Sequence, residues 1–308
     1  MIDLEYTYPP AIWRAYGAAL RNVLRGRRKM ATPENARGFL MGAAIDHRRV
    51  AEYDALCGYG DERAIALTYP HVLAFGLQMA IMTHREFPLS LLGLIHTHNR
   101  IRRYRTIRFD EPLNVRVEIQ NWRELESGWT FDIDTRFYAE NSGQALVWSE
   151  RSTMWARLRG HHQRNNRRGG EPSPELKIPT IEHWSMPANL GRRYARIAGD
   201  YNPIHLGRLP ARLFGFKRPI ATGMWLQARA AAALDPMLGQ EAVEMSISFK
   251  KPVPLPAKRE FVVDDSVSDD MAFGLVNRTT QTVHLSGRYR VLPRTVFESM
   301  EETNHVDS

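Results

Sequence analysis

Tyr194–Met224 reads YARIAGDYNPIHLGRLPARLFGFKRPIATGM. Within it, GDYNPIH sets Asp200 and His205 five residues apart, with Asn202 and Pro203 between them. Gly199, Asn202 and Pro203 are turn residues, so the backbone is expected to reverse here rather than run on as helix. A tight turn can bring a carboxylate and an imidazole onto one small pocket. Together they can hold and polarise one water, as general acid–base chemistry requires. The side-chain amide of Asn202 can tie the turn down. An Asp capping a helix beside a solvent-exposed His has the same spacing, so spacing alone leaves both readings open.

Outward from this stretch, the chain repeats itself. YDALCG from Tyr53 and YARIAG from Tyr194 share Tyr, two residues, an aliphatic residue, a small residue and Gly. Val72–Ala80 then corresponds to Pro219–Ala228, each an apolar segment expected to carry Gly in its first turn. Phe109–Pro112 corresponds to Phe249–Pro252. Three landmarks in one order argue for a duplicated unit. Each half is expected to hold a short helix, a loop, an apolar helix and a run of strands. The apolar helix begins after Pro70 in the first half and spans about Gly223–Leu234 in the second. The first-half strands are expected at Arg100–Phe109, Leu113–Glu124, Trp129–Ala139 and Ala145–Leu158. Those of the second are expected at Val243–Phe249, Arg259–Ser266, Met271–Asn277 and Thr279–Val291. Asn114–Trp122 alternates with period two, as a strand with one solvated face does. One helix followed by antiparallel strands is an α+β pattern, and an almost uncharged helix must be covered nearly all round. A strongly curved sheet wrapped about it would do that. Arg159–Pro174 (RGHHQRNNRRGGEPSP) is polar, without apolar periodicity, and reads as a linker.

The second-half string resembles the signature of the MaoC-like family, the (R)-specific enoyl-CoA hydratases and 3-hydroxyacyl-thioester dehydratases. The residues carrying the resemblance are Tyr194, Gly199-Asp200, Asn202-Pro203-Ile204-His205 and Pro219-Ile220-Ala221-Thr222-Gly223-Met224. LPARLFGFKRPIATGMW is similar to the double-hot-dog members. The resemblance implies a double hot dog, two antiparallel sheets each wrapped around a central apolar helix and packed as a pseudo-dimer. It implies a non-catalytic hot dog at residues 1–158, a linker at 159–174 and a catalytic MaoC-like hot dog at 175–308. Asp200 and His205 would be the catalytic pair, binding the water that adds to C3 of a trans-2-enoyl thioester. Asn202, Thr222 and Gly223 would serve substrate binding. The Gly223 N–H, at the start of the apolar helix, would hold the thioester carbonyl. The sequence departs from the family in having Thr222 where His often stands, and Ala231 where some members place Ser. In the first half, Tyr59 and Asp61 occupy the positions of Asp200 and Asn202, so the chemistry is expected to be absent there. An acyl-thioesterase on the same fold and a non-catalytic acyl-thioester-binding subunit are the competing readings.

The 308 residues are 43% hydrophobic and 25% charged, which excludes a collagen-like or wholly disordered chain. The single cysteine, Cys57, excludes an internal disulfide and a cysteine-based zinc site. No secretory signal opens the chain, and a cytoplasmic enzyme is expected. Ala64–His84 carries no formal charge over 21 residues but is interrupted by Thr68, Pro70, His71 and Gln78, so it reads as a core helix and no membrane span is expected. The net charge of +8 favours acidic partners. The Arg100–Arg108 cluster and the Lys217-Arg218 pair could meet phosphates or be solvated. No nucleic-acid-binding signature and no nucleotide-binding glycine loop is present, so no nucleic acid and no cofactor is expected. No metal is expected either, since His96 and His98 have no third ligand fixed by the sequence. The implied partner is an acyl-CoA or acyl carrier protein thioester; a monomer and a homodimer are both open.

Overall fold

The computed structural model describes residues 1–24, 35–60, 64–91, 93–140, 145–157, 174–238, 242–267 and 269–292. The expected linker and Asp61 lie outside these, except for Pro174, which opens a 3-10 turn (Pro174–Leu176). The first half comprises β1 (Ile2–Tyr6), α1 (Ile12–Leu24), β2 (Ala36–Ala43), α2 (His47–Cys57), α3 (Tyr69–Met82), β3 (Leu94–Arg103), β4 (Leu113–Leu125), β5 (Gly128–Ala139) and β6 (Ala145–Arg157). The second comprises β7 (Thr180–Met186), α4 (Leu190–Ala198), α5 (Pro203–Leu206), α6 (Arg208–Leu213), α7 (Gly223–Leu238), β8 (Val243–Phe249), β9 (Ala257–Asp264), β10 (Asp270–Asn277) and β11 (Thr282–Val291).

The strands form one sheet in the order β1-β2-β4-β5-β6-β3-β8-β11-β10-β9-β7. The run β2-β4-β5-β6-β3 has the same connectivity as β7-β9-β10-β11-β8. The two meet edge to edge where β3 pairs antiparallel with β8, from His98↔Ser248 to Arg103↔Val243. Among the described residues of the first half, β1, parallel to β2, and α1 have no counterpart in the second. This is a double hot dog, mixed α+β and mostly antiparallel.

Each central helix is apolar nearly all round because its own sheet curls over it. On α3, Val72, Ala74, Leu77, Met79 and Ile81 are buried. On α7, Ala228, Ala230, Ala231 and Leu234 are fully buried. The repeated Gly of the Tyr…Gly segments has a backbone cause. Gly58 ends α2 at φ 85° and Gly199 ends α4 at φ 79°, both left-handed, where a side chain is strained.

Three details differ from the sequence reading. β3 runs Leu94–Arg103 rather than Arg100–Phe109: Tyr104 N still reaches Val147 O of β6 at 3.0 Å, and beyond it the chain leaves the sheet, with Arg105 Nη1 donating to Glu111 Oε2 at 2.9 Å. Gly76 lies in the middle of α3, not in its first turn. A Cβ there would meet Pro10 O at 2.8 Å, so it makes room for the chain entering α1. The Arg100–Arg108 cluster is largely spent on internal ion pairs, Arg102 with Glu244 and Arg103 with Asp235 among them.

Candidate active site

The Asp200–His205 turn is assembled locally. Gly199 in its left-handed conformation reverses the chain out of α4, and Asp200 follows it. Asp200 Oδ1 accepts from Asn202 N at 3.2 Å. Asn202 Oδ1 in turn accepts from Ile204 N at 3.4 Å, capping the one-turn helix α5, which Pro203 starts. His205, 7% exposed, sits in that turn. Its Nδ1 lies 2.8 Å from Ile220 O. A carbonyl only accepts, so Nδ1 carries the proton and Nε2 is left with its lone pair in the neutral ring. Nε2 stands 3.8 Å from Asp200 Oδ2. That is too long for a direct hydrogen bond, but it is a base across which one water oxygen can reach both atoms.

The segment holding His205 also launches the second central helix. Ile220 N donates to Ile204 O at 3.0 Å, and Ala221 N to Val253 O at 2.9 Å. α7 then starts at Gly223, where the first backbone N–H groups have no intrahelical acceptor and the helix dipole is positive. A Cβ on Gly223 would meet the Phe249 ring at 3.2 Å, so the residue also lets that ring lie against the helix start. Thr222, 4% exposed, has a buried Oγ1 without a hydrogen-bond partner. Its first-half counterpart before α3, Thr68, bonds two phenols, Tyr53 at 2.8 Å and Tyr59 at 3.1 Å. The hydroxyl is satisfied where Tyr59 stands and left open where Asp200 stands. Burial pushes the Tyr59 phenol well above its ordinary value.

Both halves build the surroundings. From α1, Tyr16 OH lies 3.4 Å from Gly199 O, and its ring meets Tyr201 edge-on at 6.1 Å. Burial, then the charge of Asp200, raises the Tyr16 phenol. Tyr16 and Tyr201, with Ile12, Trp13, Arg49, Val72 and Gly76, line a pocket of about 590 Å³. A larger concavity of about 1320 Å³ lies over β3 and β8, lined by His98, Arg100 and Arg288, but neither Asp200 nor His205 borders it. Neither residue lines the smaller pocket either, which reaches the Asp200 turn at Tyr201.

Sequence reasoning missed a buried polar chain. His71 of α3 holds both oxygens of Glu150 at 2.9 and 3.0 Å. Asn99 Nδ2 donates to Glu150 Oε1 at 2.6 Å, and Gln227 Nε2 of α7 to Asn99 Oδ1 at 2.8 Å. Burial alone would lower His71, but Glu150, with a smaller push from Asp200, carries it above its ordinary value. Burial likewise opposes ionisation of Glu150, and His71 holds that carboxyl below the usual range. The signal available in the sequence was His71 within a mostly apolar helix. Burial takes nearby His96 down to about 4. Among the described residues, no group of three or more His, Cys, Asp or Glu could hold a metal ion. No described helix is long and apolar enough to cross a membrane. Lys217 and Arg218 are exposed.

The model of the MaoC like domain matches residues 166–285. The 3-hydroxyacyl-thioester dehydratase X of Mycobacterium tuberculosis is 36% identical over 219 residues, 69% of this chain and 74% of that protein. The crystal structure of HtdX from the same organism superposes with a TM-score of 0.71 at 31% identity, covering 83% of this chain and all (100%) of that one. A MaoC-like dehydratase from Phytophthora capsici shares the fold, with a TM-score of 0.67 at 17% identity over 87% of this chain and 98% of that one.

Proposed function

Because this chain belongs to the MaoC-like dehydratase family, we propose that it adds water to trans-2-enoyl thioesters and removes it from (R)-3-hydroxyacyl thioesters, using the Asp200 turn. The observation that carries this is the fixed pair, Asp200 Oδ2 and His205 Nε2 at 3.8 Å, beside the N-terminus of α7. The pair holds one water. As its oxygen bonds to C3, one proton leaves it for the pair and the electrons of the double bond shift toward the thioester oxygen. The Gly223 N–H and the helix dipole stabilise that charge as an oxyanion hole does. A proton then passes to C2. Dehydration is the same path reversed. The open hydroxyl of Thr222 is available to a bound thioester, and Asn202 holds the turn that aims Asp200.

In this reading residues 1–158 shape the acyl pocket and complete the sheet, while residues 175–308 carry the reacting side chains. The substrate is a coenzyme A or carrier-protein thioester of fatty-acyl metabolism, in the cytoplasm. Incubation with crotonyl-CoA tests this. Loss of enoyl absorbance without release of thiol supports hydration; stoichiometric free thiol would identify a thioesterase instead.

A further inference from the structure

The positive charge of this chain gathers around the Asp200 turn. Between Glu182 and Asp235 the sequence holds eight Lys and Arg and one acid, Asp200, in a chain whose net charge is +8. Arg229 is spent on Glu182, at 2.8 and 2.9 Å. By contrast, Arg192, Arg193, Arg208, Arg212, Lys217 and Arg218 are exposed, and none has a carboxylate partner among the described residues. They come from α4, from α6 and from the turn that follows it.

These elements form one face. Arg192 Nη1 donates to Leu206 O at 2.8 Å, tying α4 to the end of α5, two residues before α6. Phe216 N donates to Ala211 O at 3.1 Å and Gly215 N to Arg212 O at 3.0 Å, folding Lys217 and Arg218 back beside the end of α6. On α6, Leu209 is 76% exposed and Leu213 86%. Four residues apart, they share one side of the helix. α6 and the turn after it lie between His205 and Gly223 in the chain, and Arg192 of α4 reaches Leu206, the neighbour of His205.

Exposed leucines set among cations with no carboxylate partner among the described residues fit a protein better than a small anion. The phosphates of coenzyme A would need convergent donors in a groove and gain nothing from two protruding leucines. An acidic helix with a few apolar residues uses both parts, the leucines for burial and the cations for steering and register. We propose that the α4–α6 face docks an acidic carrier protein, which delivers its pantetheine-linked acyl thioester to the Asp200 turn. This rests on the thioester reading above and chooses between its two substrate forms.

The test compares crotonyl-loaded acyl carrier protein with crotonyl-CoA, for the wild type, Arg208→Glu/Arg212→Glu and Leu213→Ala. The loaded carrier protein is also titrated directly for binding, at low and high salt. The expected result is a rise in KM for the carrier-protein substrate of roughly tenfold or more in the charge-reversed variant, with kcat and the coenzyme A kinetics within about twofold. Wild-type binding should weaken with salt. An equal rise on both thioesters would assign the cations to coenzyme A phosphates and overturn the proposal. Unchanged carrier-protein KM in both variants would overturn it too, as would binding to phosphatidylglycerol vesicles without binding to the carrier protein. If the wild type turned over neither thioester, the hydratase reading would fall, while the titration would still decide the docking.

Discussion

The backbone carbonyl of His205 occupies the place where a Cβ on Gly191 would be: the ideal Cβ position lies 2.1 Å from His205 O. Gly191, near the start of α4, thereby sets how closely the His205 turn seats against the helix that also delivers Asp200. Gly191→Ala must push that turn away. We expect a stability loss of about 1–3 kcal/mol from overpacking. We expect kcat to fall by roughly tenfold or more, since a displacement of about 1 Å at a reacting group can cost ~10² in rate. Thermal unfolding and steady-state kinetics measure both; an alanine variant with wild-type kcat would show that the seating of His205 does not matter.

Tyr59 tests the division of labour between the halves. It occupies in the first half the place Asp200 holds in the second, but its phenol bonds Thr68 and burial keeps it protonated. Tyr59→Phe should leave kcat within about threefold, a barrier change below about 1 kcal/mol. A variant as inactive as Asp200→Asn would make the first half catalytic.

The buried His71–Glu150 pair predicts a pH dependence of stability. Glu150 is depressed on folding, so its contribution is present above its ordinary 4.5 and lost as the pH falls through the depressed value. His71 is raised, so its contribution is present below its ordinary 6.5 and lost as the pH rises through the raised value. The pair therefore stabilises most fully between 4.5 and 6.5. Glu150→Gln leaves a buried imidazole without its counter-charge and should cost about 3–5 kcal/mol in that window, with the difference shrinking at higher pH. Denaturant midpoints followed against pH measure this, and a pH-independent difference between the two proteins would contradict it.

Removing the first half should be ruinous, because β8 would lose its pairing with β3 and become a free edge. We expect the 171–308 fragment to aggregate when expressed alone. A soluble, monomeric and fully active fragment would mean that the first half does not complete the sheet.

How much could be read from the sequence depended on whether a feature was local. The Asp200–His205 turn rests on Gly199, Asn202 and Pro203, neighbours in the chain, and could be read directly. The strands from Leu113 to Arg157 and from Val243 onward were placed within a few residues, with period-two alternation plainest at Asn114–Trp122, whereas β7 (Thr180–Met186) was not expected. β2 escaped notice because Gly38 breaks the strand pattern, for a reason visible only in the fold: a Cβ there would meet Leu77 and Ile81 of α3 at 2.9 and 3.0 Å. The His71–Glu150–Asn99–Gln227 chain draws one residue from each of four elements, and nothing in the sequence brings them together. The role of α1 was equally hidden, since Tyr16 meets the Gly199–Tyr201 turn from 183 residues away.

The central claim is that Asp200 and His205 act as one unit on one water. The direct measurement is kcat on an enoyl thioester for Asp200→Asn, His205→Asn and the double variant, each checked for intact folding. General acid–base groups contribute about 10²–10⁴, so each single variant should lose at least roughly 10²-fold. The double variant should lose little beyond the worse single one, because residues acting together are not additive. Wild-type kcat in either single variant, or losses that multiply in the double, would contradict the account.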